Sequence, residues 1–361
     1  MALTVTDDGA STGLSKPINA VFQQTFLRRA QQMCPYFTGT QPGTLNKQAG
    51  TATIKWRRVE QLATSTSALS EISGAYTLMG GRSSVTPTFT DVTATVSKYG
   101  QFYIVTEELD LYTPNGSAGE LIATLGESAG RSLNILMANI SVNNATVVLA
   151  NNVASAGAVV ASVATGDLNY VVNTLTKNAA RVFTPTTPGS TNIGTVPILE
   201  SYWGICHPDV AYDISQLTGF TSVEKYAQQV QIATGEFGYY PMAGRGLRFL
   251  LSEDAPVTTG AGATASTKHQ TTNKADVYNT VIYGKDFLGS VGLGMRHTDG
   301  VYRAGDNTGG WEIIYHQRGT SGALDPLNEI STLAYKMFFS GAVLNSNWGL
   351  LVKSAATLLV A

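Results

Sequence analysis

Four histidines, at positions 207, 269, 297 and 316, and two cysteines, Cys34 and Cys206, are the side chains most able to bind a transition metal or act as nucleophiles. Their spacing argues against both roles. No two histidines have the separation of a metal-ligating pair. His207 follows Cys206 directly, and adjacent residues of an extended segment point to opposite sides. His207 is therefore read as satisfying local backbone at a helix start. Gly260-Ala261-Gly262-Ala263-Thr264-Ala265 superficially matches a dinucleotide fingerprint, but it follows no strand pattern and opens no helix. The sequence has no Walker lysine motif and no C-x-x-C. Glu107, Glu108 and Asp110 form a small acidic cluster. Paired carboxylates can exchange protons, yet a solvated strand end or an intersubunit ion pair accounts for them more simply. Arg28-Arg29 and the group Lys55, Arg57 and Arg58 are basic. Lys55 and Arg57 share a strand face, read as solvated rather than as facing nucleic acid or an acidic neighbour, without the interleaved aromatics of a single-strand binder. The expectation is no catalytic, cofactor or metal residues, and no enzyme.

The chemistry that remains belongs to surfaces. Residues 61–90 carry only Glu71 and Arg82 as charged side chains and contain no lysine. The segment lies between two strand patterns, so the chain goes out and comes back. Such a long excursion is unusual in a compact domain. Its polarity comes from hydroxyls, which a dry surface can accept, and it is read as an arm that packs on another subunit. The whole chain has the same bias. Only 13% of its 361 residues are charged, against about 25% in ordinary soluble domains. Sparse charge favours covered surface and an obligate oligomer. The net charge of −2 gives no global electrostatic case for nucleic-acid binding. Two cysteines make no disulfide framework. Met1 to Ala20 lacks a signal-peptide pattern, and no apolar run is long enough to span a membrane. Asn115, Asn139 and Asn144 begin Asn-x-Ser/Thr triplets, read as chance without a secretion signal.

The elements follow from periodicity. Residues 1–16 form a polar arm or tail. Ile18, Phe22, Phe26, Ala30 and Met33 mark one face of a short helix that Cys34-Pro35 ends. Thr51 to Val59 alternates as a strand, and Val92 to Val96 and Phe102 to Thr106 do the same after the arm. Ser117 and Glu120 form a capping box. From there Leu121, Leu125, Ala129, Leu133, Leu136 and Ile140 keep an apolar stripe, predicting a helix to about Ala150 on which a sheet rests. Gly126 and Gly130 inside it each cost about 1 kcal/mol relative to alanine, tolerable where another backbone packs close. A second helix has Asp167 as expected N-cap and buries Leu168, Val171, Val172 and Leu175. Thr184 to Pro197 reads as a loop. Tyr202 to Cys206 is a short strand, and Pro208 opens a helix that buries Val210, Ile214 and Leu217. Residues 257–275 read as a mobile surface loop. Val277 to Tyr283, Trp311 to Tyr315, Thr332 to Phe339 and Trp348 to Val352 read as strands, with Leu333, Tyr335, Met337 and Phe339 on one face.

This order of elements resembles the HK97-like fold of tailed-phage major capsid proteins. Local sequence narrows the resemblance to the N-four-type podophage capsid family. The residues are Thr53-Ile54-Lys55-Trp56-Arg57-Arg58 with Leu62-Ala63 and Leu69-Ser70-Glu71, and Tyr202-Trp203-Gly204-Ile205-Cys206-His207-Pro208-Asp209-Val210 with Asp213. Further on come Gly235-Glu236-Phe237-Gly238 with Gly246-Leu247-Arg248-Phe249, then Asp325-Pro326-Leu327-Asn328 and Asn345-Ser346-Asn347-Trp348. The resemblance spans residues 17–353. The resemblance implies an α+β chain. An N-terminal arm and short helix occupy 1–35, an extended E-loop hairpin with flanking strands 51–106, and a peripheral domain with a long spine helix 107–180. A mixed α/β axial domain lies mainly in 181–330, and 331–361 supplies C-terminal strands returning to the peripheral and axial core.

The implied function is a major capsid protein that assembles as hexamers and pentamers into the icosahedral shell around the double-stranded DNA of a tailed bacteriophage. An encapsulin-like nanocompartment shell is the alternative. The uncharged arm is then the E-loop lying over a neighbour, with Leu69, Glu71, Tyr76, Leu78 and Arg82 as intersubunit contacts. Arg28 and Arg29 are candidates for nonspecific contact with packaged DNA. A cementing or decoration protein, a scaffolding protein and a portal are possible partners, and no membrane is. Assembly is expected in the host cytoplasm and residence in the virion. Some relatives weld the lattice through a lysine–asparagine isopeptide bond from this loop. With no lysine in 61–90, the lattice here is expected to be noncovalent or reinforced by a separate cementing protein.

Overall fold

The structure, a computed structural model, describes residues 34–37, 39–45, 50–60, 62, 64, 66, 86–112, 118–184, 198–226, 235–242, 244–293, 311–316, 327 and 329–359. In chain order the first elements are strands β1 (Gln41–Leu45), β2 (Thr53–Val59), β3 (Phe89–Thr95) and β4 (Ser97–Thr106), then helices α1 (Glu107–Tyr112) and α2 (Ala118–Asn144). Next come β5 (Thr146–Leu149), α3 (Thr165–Lys177), β6 (Ser201–Cys206), α4 (Pro208–Ser215), β7 (Thr221–Ser222), β8 (Glu236–Pro241) and β9 (Gly246–Leu251). The last are β10 (Val257–Thr258), β11 (Gln270–Thr271), β12 (Lys274–Ala275), β13 (Val277–Tyr283), β14 (Leu288–Leu293), β15 (Trp311–His316), β16 (Ile330–Val343) and β17 (Gly349–Ser354).

Two sheets share α2. The larger runs β5-β17-β13-β6-β9-β8-β7, with β10 added on β13. Every described side chain of β6 and β13 is buried, because layers cover both faces, and such strands read as continuous apolar runs. On one face Leu168, Val171, Val172 and Leu175 of α3 and Val210 and Ile214 of α4 pack against Tyr202, Phe249 and Ile282. On the other, Leu133, Met137 and Ala138 of α2 meet Trp203, Ile205, Val281 and Leu351. The smaller sheet runs β1-β14-β16-β15, and β4 pairs antiparallel with β16 from Thr106↔Ile330 to Ser97↔Phe339. Its inner face takes the N-terminal half of α2, where Ile122, Leu125 and Ala129 touch Leu333, Tyr335 and Tyr103. Buried Gly126 and Gly130 lie in this helix, and the 34–37 turn comes close at Gly130, where the Cys34 thiol donates to Gly130 O (3.2 Å). Asn134 completes that junction: its Oδ1 accepts from Tyr36 N (3.2 Å) and its Nδ2 donates to Ser252 Oγ (3.1 Å). Beside it the Arg131 guanidinium holds Asp254 at 2.8 Å.

Several expectations are corrected. The long helix stops at Asn144 rather than near Ala150, and β-branched Thr146-Val147-Val148 form a strand parallel to β17. Asp167 is not the N-cap of α3. It sits three residues after Ala164, whose N–H it accepts (3.1 Å). Glu107 and Glu108 open α1 instead of ending a strand. Residues 257–275 are fastened into the fold by hydrogen bonds from Ala263 N to Val159 O, His269 N to Ala356 O and Leu358 N to Thr267 O. The helix expected over 18–33 and Ser117 of the expected capping box lie outside the described residues.

Candidate assembly surface

Alternation along β4 and β16 decides what the smaller sheet presents. Tyr103 and Val105 turn toward α2, opposite Leu333 and Ser331. Phe102 and Ile104 therefore point the other way, at 64% and 55% exposure. On this second face they neighbour half-buried Ala334 and Thr332 across the pair. α1 continues directly from β4 and exposes Leu109 and Leu111. An antiparallel sheet with one solvated face ordinarily sets polar residues there, so exposed aromatic and aliphatic groups on adjoining elements mark a contact surface.

The β2–β3 hairpin adds a second exposed face. Its register runs from Thr53↔Thr95 to Val59↔Phe89. Ile54, Trp56 and Arg58 face the body, while Lys55, Arg57, Val59, Phe89 and Asp91 face out. Trp56 rests where two glycines pave the smaller sheet: a Cβ on Gly43 would come 2.7 Å from its ring, and one on Gly289 3.1 Å. Arg58 locks the base by donating to Leu344 O (3.0 Å) and to Glu60 Oε1 (2.6 Å), which also accepts from Thr90 Oγ1 (2.6 Å). The Thr90 hydroxyl first, then Arg58, hold the Glu60 carboxyl below its ordinary range. Outside, Arg57 Nε (3.0 Å) and Lys55 Nζ (2.5 Å) converge on Asp91, whose carboxyl they hold low. Lys55 and Arg57, read as a solvated face, also pair with an acidic residue of the same hairpin. The Arg57 guanidinium also lies over the Phe89 ring at 5.6 Å.

The proposed contacts Leu69, Glu71, Tyr76, Leu78 and Arg82, and the proposed DNA-facing Arg28 and Arg29, lie outside the described residues. What is described is the stem of that arm, Val59-Glu60 on the outgoing strand and Phe89-Thr90 on the return. His207 caps α4, its Nδ1 accepting from Asp209 N (3.2 Å), the backbone role read from sequence. Gly260 opens no helix; its N–H donates to Asp276 Oδ1 (2.6 Å). Among the described residues no group of three or more metal-ligating side chains forms, and no helix is long and apolar enough to cross a membrane.

One polar constellation escaped the sequence reading. Arg248 and Glu236 are each 2% exposed and pair at 3.2 Å between β9 and β8. Tyr226 Oη donates to Glu236 Oε1 (2.8 Å), Arg248 Nε donates to Ser201 Oγ (3.0 Å), and Ser201 Oγ lies 2.9 Å from Thr184 Oγ1. The network pins β6, β8 and β9 to Thr184 and Tyr226.

No protein-family model and no curated protein matches this sequence. Solved structures do match the backbone. The capsid of Ralstonia phage GP4 aligns over 90% of this chain and 89% of its own, with a TM-score of 0.54 at 10% identity. The fold is that of phage capsid proteins. The capsid chain of cyanophage P-SCSP1u gives a TM-score of 0.53 at 12% identity, covering 88% of this chain and 87% of that one. The acid-stable capsid of Helicobacter pylori bacteriophage KHP30 gives 0.52 at 10% identity over 98% and 96%. The capsid fold therefore spans almost the whole chain, including both sheets and α2.

Proposed function

We propose that this chain is the major capsid protein of a tailed bacteriophage, self-assembling into the icosahedral shell around double-stranded DNA. The carrying observation is end-to-end agreement with capsid chains, joined to an exposed apolar face that a lone subunit has no use for. On this reading the fold is HK97-like. α2 is the spine helix of a peripheral domain, the larger sheet with α3 and α4 is the axial domain, and the β2–β3 hairpin is the base of the E-loop. The loop reaches a neighbouring copy through Leu69, Glu71, Tyr76, Leu78 and Arg82. Such obligate contacts bury about 2,000–5,000 Å² in all, and each subunit makes several at once, so modest contacts multiply through avidity. Hexamers and pentamers are the assembling units, with scaffolding, portal and cementing proteins as partners. DNA is met weakly, through screened contacts of groups such as Arg28 and Arg29. The virion is the site of residence and the host cytoplasm that of assembly. Nothing in this reading calls for catalysis.

Electron microscopy of the purified full-length chain, alone and co-expressed with its genomic neighbours, tests the reading. Closed shells of capsid geometry are expected. A soluble monomer under every condition, or shells that enclose a cargo enzyme and never DNA in the native host, would overturn it.

A further inference from the structure

The side chains of His207 and His269 meet the same tyrosine. The His207 ring lies 5.2 Å from the Tyr278 ring and the His269 ring 6.3 Å from it, edge-on. Tyr278 Oη donates to Asp209 Oδ2 (2.7 Å), and that same oxygen lies 3.2 Å from His207 Nδ1. This group joins three pieces of chain. His207 caps α4 from one side. His269 belongs to the 267–276 loop, and its backbone N–H donates to Ala356 O. The segment after β17 is in turn tied to α4 by Thr357 N donating to Asp213 Oδ2 (3.0 Å).

We propose that His207, Tyr278 and His269 form an acid-sensitive clasp that holds the 267–276 loop and the 355–359 segment against α4. The cap requires a lone pair: Nδ1 accepts the Asp209 N–H only while the imidazole is neutral. Protonation places a hydrogen on that nitrogen, orphans the Asp209 N–H, and makes the ring a second donor competing with Tyr278 for the Asp209 Oδ2 it already lies beside. His269, on the other side of the same tyrosine, disfavours that charge. The charged and titratable groups around the site are Asp209 and Asp213 on α4, Glu253 in the turn after β9, His269 and Lys268 on the loop, and Asp276 beside Tyr278. Of these, Asp209 and Glu253 favour the charged imidazole at His207 and His269 disfavours it, but burial is the largest influence and holds His207 below the ordinary histidine range. A folded state that binds protons more weakly than the unfolded chain is fully stable above the unfolded pKa and loses that contribution as pH falls through the folded one. The clasp is thus closed at neutral pH and loosens in acid. It lies within one chain and stands whether or not the chain assembles into shells.

Amide hydrogen exchange on the full chain at pH 7.5 and 5.5, corrected for intrinsic rates, tests the clasp. Protection over 208–215, 267–276 and 355–359 is expected to fall at the lower pH, while β6 and β13 keep theirs. His207→Asn keeps a capping acceptor but does not titrate in this range, so the acid loss over 208–215 should disappear. In His269→Gln, the NMR titration midpoint of His207 should rise. Equal acid loss in wild type and His207→Asn, no acid loss in wild type, or a His207 midpoint unmoved by His269→Gln would each overturn the proposal.

Discussion

Arg248 shows how much one side chain can carry at the residue scale. Its guanidinium and the Glu236 carboxylate are both sealed from water, so removing either strands the other charge in a poorly solvating interior. Arg248→Met should cost about 3–5 kcal/mol, read as a lowered denaturation midpoint of the isolated subunit. A matched double variant, Arg248→Met with Glu236→Leu, should recover part of that loss, because two apolar groups leave no orphaned charge. Sequence alone did not disclose the pair. Arg248 stands in Leu247-Arg248-Phe249, where a charged residue in a short strand reads as solvent-facing, and its partners Ser201, Glu236 and Tyr226 are set by strand order that no local pattern encodes. His207 was legible because Pro208 at the first helical position and Asp209 in the first turn announce a helix start within three residues.

The hairpin formed by β2 and β3 is the element whose behaviour should be easiest to perturb. Its seat depends on bare backbone under Trp56. Gly289→Val would force the ring off the sheet, and faster amide exchange in 53–59 and 89–95 should report it while β13 and β17 stay protected. The same element should respond to acid. Asp91 and Glu60 have folded pKa values below their ordinary range. Their contribution is present above the unfolded carboxylate pKa, about 4, and vanishes as pH drops through the lower folded values. Exchange in the stem should therefore quicken below about pH 4. The strand patterns placed β13 at its observed bounds and β2 within two residues, while β3 begins at Phe89 rather than Val92 and β16 runs from Ile330 to Val343 rather than from Thr332 to Phe339. They failed for β1 and β14: Gln-Pro-Gly-Thr-Leu and Leu-Gly-Ser-Val-Gly-Leu carry too few β-formers to register, and pairing with one another and with β16 supplies what propensity does not. The end of α2 was misread for the opposite reason, since an apolar stripe continued through residues that a parallel neighbour claims for a strand.

For the whole molecule, the proposed assembly turns on the outer face of β4. Replacing Phe102 and Ile104 together with glutamate should leave the isolated subunit within about 0.5 kcal/mol of wild type, as exposed substitutions usually do, yet prevent shell formation in sedimentation and microscopy. Wild-type shells boiled in detergent should run as single subunits on a gel, because no lysine lies in residues 61–90; a ladder of covalent multimers would refute the noncovalent lattice. The architecture of capsid chains was legible in the order of elements, while the surfaces that meet depend on which face each strand turns outward. β16 also has a consequence for synthesis. Its Ser331 bonds Val105, 226 positions earlier, and the same strand pairs with β14 and β15. β17 likewise joins β5 to β13. Neither sheet can close until the last strands leave the ribosome. On the proposed reading, a polypeptide abandoned before Ile330 would never display the finished contact face, so incomplete translation products would be left out of a growing shell without any dedicated inspection step.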